Sequence, residues 1–97
     1  MRQIVIEDAA KDDLRQSAKY LDQERPGIGR DFMAEITATL DRIAHYPLSA
    51  PVVWNQFRRA RVPRFRYDII YAVEPERIVI VAVVHQRRHP DFWKDRI

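Results

Sequence analysis

Apolar positions change period twice along the chain, and the changes mark out its elements. Gln3-Ile4-Val5-Ile6 predicts a short first strand. From Ala10 the spacing becomes helical, with Ala10, Leu14, Ser17/Ala18 and Leu21 on one stripe and Lys11, Asp12, Asp13, Arg15, Lys19 and Asp22 outside it. Asp8 is the expected N-cap, because its carboxylate can accept bonds from the first free backbone N–H groups. Arg25-Pro26-Gly27 ends this helix, since proline disfavours helical backbone in the residue before it. Phe32, Ile36, Thr39/Leu40 and Ile43 form the stripe of a second helix that begins after Gly29 and stops before Pro47. Leu48 to Gln56 has no sustained period and reads as a loop.

Beyond that loop the period is two. Phe57 to Val62 predicts a strand, and Pro63 suits its end rather than its interior. Arg64 to Arg88 then reads as one hairpin turning at Glu74-Pro75-Glu76-Arg77. Its first strand alternates, with Phe65, Tyr67, Ile69, Tyr71 and Val73 on one face and Arg66, Asp68, Ile70, Ala72 and Glu74 on the other. Its second strand is apolar on both faces from Ile78 to Val84, which places it centrally in the sheet. The expected architecture is α+β in the order β-α-α-β-β-β. An antiparallel sheet packs against an N-terminal helical hairpin, and residues 1–97 form one domain. Phe92 and Trp93 of the short tail are expected to tuck against this body.

Composition adds chemistry to the outline. Cysteine is absent, which removes disulfide and thiol chemistry and agrees with a reducing compartment. No apolar run approaches about 20 residues, and the N-terminus lacks a signal-peptide core, so a cytoplasmic protein without a membrane span is expected. The net charge of +3 conceals an asymmetry. Residues 1–56 carry seven Lys or Arg against nine Asp or Glu, whereas residues 57–97 carry ten against five. Such a basic half steers anionic partners, whether nucleic acid or acidic peptide.

No phosphate-binding glycine loop, paired-histidine metal motif or nucleophilic-serine motif is present. His85 and His89 would bind metal at their spacing only on a helix, which Pro90 and the preceding strand disfavour, so no metal or other cofactor is expected. The candidate chemistry is a basic and aromatic constellation comprising Arg59, Arg61, Arg64, Arg66, His85, Arg87, Arg88, His89 and Trp93. Guanidinium groups hold phosphate or carboxylate, and aromatic rings stack on bases. A strand-end histidine is nevertheless more often bonded to backbone than catalytic, and a tail tryptophan more often packs than stacks on a base.

Two segments carry a family resemblance. Val62-Pro63-Arg64-Phe65-Arg66-Tyr67-Asp68-Ile69-Ile70-Tyr71-Ala72-Val73 is followed by Ile78 to Val84 and His85-Gln86-Arg87-Arg88-His89-Pro90-Asp91-Phe92-Trp93. This pairing, with the element order, resembles the RelE/ParE superfamily of type II toxins, and the strand ending in His-x-Arg-Arg resembles its ParE branch. The resemblance implies a growth-inhibiting toxin held inactive in a hetero-oligomer by a ParD-like antitoxin from the same operon. It implies DNA gyrase as the target, bound through Arg87, Arg88, His89 and Trp93, with Arg59, Arg61, Arg64 and Arg66 facing the antitoxin. The alternative is a RelE-like endonuclease acting on messenger RNA in the ribosome, with His85 as base and Arg61, Arg66 and Arg88 on the phosphate. Asp68 stands where such an enzyme would place a strand arginine, and the tail lacks a tyrosine.

Overall fold

The computed structural model describes residues 1–97. The elements are β1 (Gln3–Ile6), α1 (Asp8–Glu24), α2 (Ile28–His45), β2 (Val52–Trp54), β3 (Phe57–Val62), β4 (Tyr67–Val73) and β5 (Arg77–His85), with a short 3-10 helix over Phe92–Arg96. They form one five-stranded sheet in the order β1-β5-β4-β3-β2, and the two helices cover one of its faces. The α+β architecture expected from the sequence is therefore present. Two details differ. β1 pairs with β5 in parallel, so the sheet is antiparallel only from β5 to β2. The stretch expected to be loop contains the edge strand β2, paired with β3 through an irregular register.

Local chemistry sets the helix ends. Glu7 occupies the N-cap of α1 without a side-chain cap bond, and Asp8, expected as that cap, is the first helical residue. There its charge still faces the positive end of the helix dipole. Asp22 of α1 caps the next helix instead, its Oδ1 accepting from the Gly29 N–H at 2.7 Å. A Cβ on Gly29 would lie 2.7 Å from the Ala18 carbonyl oxygen, so only glycine permits this approach of the two helices. Gly27, with φ of 91°, makes the turn between them.

Both sheet faces are buried. Phe32 and Ile36 of α2 and Leu14 of α1 pack on Tyr67, Ile69, Tyr71, Ile78, Ile80 and Val83. On the opposite face Trp93 covers Ile70, Ala72, Val79, Val81, Ala82 and Val84, beside Phe57 and Trp54. β5 serves both cores by alternation, and a bulge shifts its phase: Ile70 faces Ala82 but Tyr71 faces Ile80, leaving Val81 as the extra residue, so Val81 and Ala82 both join the second core. The hairpin from β3 to β4 also departs from expectation. Arg64, Phe65 and Arg66 lie in the loop rather than the strand, with left-handed backbone at Arg64 (φ 76°) and Arg66 (φ 55°).

β1 ends opposite Ile80, yet β5 continues to His85. Side chains from distant parts of the chain complete the exposed edge. The Asp13 Oδ2 accepts from the Val83 N–H at 3.0 Å, and one guanidinium nitrogen of Arg96 donates to the Val81 carbonyl at 3.0 Å. Asp13 and Arg96 also bond to each other through two nitrogens, at 2.9 and 2.7 Å. This bidentate pair ties α1, β5 and the tail together. Asp13→Ala is expected to lower the unfolding free energy by about 1–2 kcal/mol, because it strands the Val83 N–H and removes the bidentate partner of the part-exposed Arg96 guanidinium. Arg15→Ala, which removes an exposed pair with Asp12, should change it by less than about 0.5 kcal/mol. Denaturant titration of both variants checks the contrast.

Candidate interaction site at the end of the central strand

The last turn of β5 brings together the residues with the most unusual surroundings. Gln86 still donates its N–H to the Arg66 carbonyl at 2.9 Å, after which the chain leaves the sheet. The next two amides need acceptors, and the His85 ring supplies one. Its Nδ1 accepts from the backbone N–H of Arg87 at 3.1 Å and of Arg88 at 3.2 Å. The neutral ring proton consequently sits on Nε2. Burial lowers the pKa of His85 below the ordinary histidine value, and the positive charges of Arg88, Arg66 and Arg87 lower it further. The ring also meets Tyr67 edge-on, with centroids 5.1 Å apart.

Arg88 is held from two sides. One terminal guanidinium nitrogen donates to the Tyr67 hydroxyl at 3.2 Å, and the guanidinium carbon lies 4.3 Å from the Tyr20 ring centroid. Tyr20 bonds in turn to Glu24, which raises its phenol pKa while Arg88 pulls the other way. Tyr20, Tyr67, His85, Arg88 and Phe92 line a cleft of about 450 Å³ between α1 and β5. Tyr20 and Asp13 are the residues here that the sequence reading missed. Tyr20 had one signal, an aromatic residue outside the apolar stripe of α1; Asp13 reaches β5 and Arg96 only through the fold.

The remaining candidate residues scatter. Arg59 donates to Asp68 at 3.1 Å, and Asp68, almost fully buried, also accepts from the Gln86 amide at 3.0 Å. Arg59 is therefore engaged within the sheet face, unlike the exposed Arg61, Arg64 and Arg66. Arg61 and Arg59 border a second cleft beside Arg42 and Tyr71, so Arg61 does not share a cleft with His85 and Arg88. Arg66 approaches His85 closely enough to act on its charge. Arg58 is a structural clamp, donating to the carbonyls of Ala50 at 2.6 Å and Leu48 at 3.1 Å.

Arg87, Arg88 and His89 are exposed, as a contact surface requires. Trp93 is not. It is completely buried, its Nε1–H donates to the Pro90 carbonyl at 3.0 Å, and its ring packs against Trp54 and Phe57. The expected contact role of Trp93 gives way to core packing, because its indole closes the face of the sheet opposite the helices.

The low pKa of His85 makes stability pH-dependent with a definite sign. The folded state takes up this proton at lower pH than the unfolded chain, whose histidine titrates near 6.5. Stability from this group is intact above about 6.5 and falls as pH drops from there toward the folded value. An NMR titration of the His85 ring should give a midpoint below 6.5. His85→Gln should reduce the fall in melting temperature between about pH 7 and 5.5.

The fold has counterparts among known proteins. The family model described as ParE toxin of type II toxin-antitoxin system, parDE, matches residues 4–90. A solved chain from the chromosomal ParDE toxin-antitoxin system of P. aeruginosa superposes with a TM-score of 0.79. That alignment covers 88% of this chain and 96% of the other at 13% identity, a likeness of fold. No relative is found among curated proteins. Since the family model spans β1 through the turn after β5, including His85, Arg87 and Arg88, this chain belongs to the ParE toxin family of type II toxin-antitoxin systems.

Proposed function

We propose that this chain stops bacterial growth by binding DNA gyrase through the exposed basic end of the sheet, at Arg87, Arg88 and His89. A ParD-type antitoxin from the same operon neutralises it. Membership of the ParE family supports the toxin role, and the ParDE likeness supports the antitoxin. The observation that carries the choice of a binding mechanism is the bonding state of His85. A general base needs a free lone pair within reach of the proton that it removes. Two backbone amides occupy the Nδ1 lone pair, and the proton this forces onto Nε2 blocks the other. Asp68, the nearest strand carboxylate on the sheet, is buried between Arg59 and Gln86 and serves the fold. The arginines and His89, by contrast, stand in solvent where a flat protein surface can meet them.

Pulse labelling within minutes of induction separates the mechanisms. DNA synthesis is expected to fail before protein synthesis, and the purified chain is expected to inhibit gyrase supercoiling. His85→Ala should retain most of the inhibition, whereas Arg88→Glu should weaken it by at least about tenfold, the loss expected when one charged contact is reversed. Early failure of protein synthesis, with toxicity abolished in His85→Ala, would instead establish the ribosome-dependent endonuclease and refute gyrase binding.

A further inference from the structure

β2 forms the edge of the sheet opposite to β1, and the segment around it is built the reverse of an ordinary loop. Tyr46 to Phe57 contains no Asp, Glu, Lys, Arg or His, although 32% of the chain is charged. Its backbone is satisfied from within. The Tyr71 hydroxyl donates to the Pro47 carbonyl at 2.7 Å, Arg58 spans the carbonyls of Leu48 and Ala50, and Pro51 accepts from the Arg59 N–H at 3.1 Å. Ser49 closes the turn on the Tyr46 carbonyl with both its hydroxyl and its N–H. With the polar groups turned inward, apolar side chains are left outside: Tyr46, Leu48, Val52 and Val53 are four of the nine large apolar residues that stand exposed. A fixed surface that is apolar and free of charge has the composition of an interface core.

β2 also offers its backbone. Neighbouring residues of a strand direct their backbone groups to opposite edges. Pro51 points its carbonyl at β3, so the N–H and C=O of Val52 point away from the sheet, where no strand follows. The proline is no barrier there, because its missing N–H lies on the side of β3. The charged side chains that usually guard a free edge are absent as well.

We infer that the occupant of this edge is a second copy of the chain, whose β2 pairs antiparallel with this one about a two-fold axis at Val52 and joins the two sheets. Each Val52 then donates its N–H to the other's carbonyl, and the Leu48 end of one segment lies along the Asn55 end of the other. Both ends are uncharged, so a chain of net charge +3 meets itself here without setting like charges face to face. The nearest guanidinium groups are already engaged, Arg42 on the Arg61 carbonyl, Arg58 on Leu48 and Ala50, and Arg59 on Asp68. A nucleic acid or an acidic protein finds no free cation on this segment. The contact is small. Twelve residues a side compares with the roughly 20–30 of a standard interface, so a dissociation constant of about 10–100 µM is expected. The basic end at Arg87, Arg88 and His89 follows β5, which β3 and β4 separate from this edge, so a dimer presents two such ends. The pairing holds whatever partner those ends bind.

Sedimentation equilibrium of the full chain alone, from about 5 µM to 1 mM, tests the pairing. Wild type should pass from monomer to dimer over that range, and exchange of the Val52 amide should be about fivefold slower or more at the upper end, as a newly paired strand N–H requires. Val52→Lys and Val52→Glu each place like charges directly across the axis and should weaken association by about tenfold or more. An equimolar mixture of the two should associate more tightly than either alone, which only a contact between copies explains. Val52 is half exposed, so neither change reaches the core, and unchanged melting temperatures check this. Ala38→Lys, on the exposed side of α2, should leave association as in wild type. A chain that stays monomeric to about 1 mM, Val52 variants that associate like wild type, or a mixture no tighter than its components would each overturn the assignment. If the chain alone stays monomeric while purified gyrase binds it and Val52→Lys weakens that complex, the edge belongs to the target and not to a second copy.

Discussion

The structure depends on a strand that is longer than its neighbour. β5 runs through the middle of the sheet with Ile78 to Val84 buried, and β1 accompanies it only to Ile80. Backbone groups beyond that point must find partners or water. Asp13 and Arg96, 83 residues apart, provide partners for Val83 and Val81 and bind each other while doing so. One ion pair thus finishes a sheet edge, docks the first helix and anchors the tail whose Trp93 roofs the second core. Because this substitution ends at Val83, the last stretch of the strand remains open, and the cleft lies there.

That origin links stability to recognition. The groups that make β5 a good core strand also deliver His85, Arg87 and Arg88 to one rim, and the bulge at Val81 settles which backbone groups point outward. Left-handed backbone at Arg64, Arg66 and His89 turns the chain sharply at the same end of the sheet. A few side chains placed on rigid elements make a more exacting surface than the same arginines on a mobile loop. His85 spends its basic nitrogen on holding that turn.

The relation between residues and fold is uneven along the chain. Helical spacing in Ala10, Leu14 and Phe32, Ile36, Ile43 was enough to find both helices, because burial against a sheet repeats every turn. The doubly apolar run Ile78 to Val84 located the central strand for the same reason. Arg64-Phe65-Arg66 carries the alternation of a strand yet forms a loop, because the left-handed backbone at Arg64 and Arg66 leaves no local apolar signal. β2 has no periodic signal of its own, since it is three residues long and its pairing depends on β3.

The sequence by itself determined the element order, the two-sided burial of β5 and the basic character of the sheet half, all of which follow from short-range spacing and composition. Its arginine cluster, however, read as one surface. Only the tertiary structure divided it, giving Arg59 to Asp68, Arg58 to the Leu48 and Ala50 carbonyls, and Arg88 to Tyr20 and Tyr67. Trp93 packs against the body as its tail position suggested, and its complete burial removes it from any contact surface. The physical reason is that a charge or a ring is assigned its role by the partner it meets. Those partners are brought by pairing between strands and by packing over separations of many residues, where neither periodicity nor composition carries information.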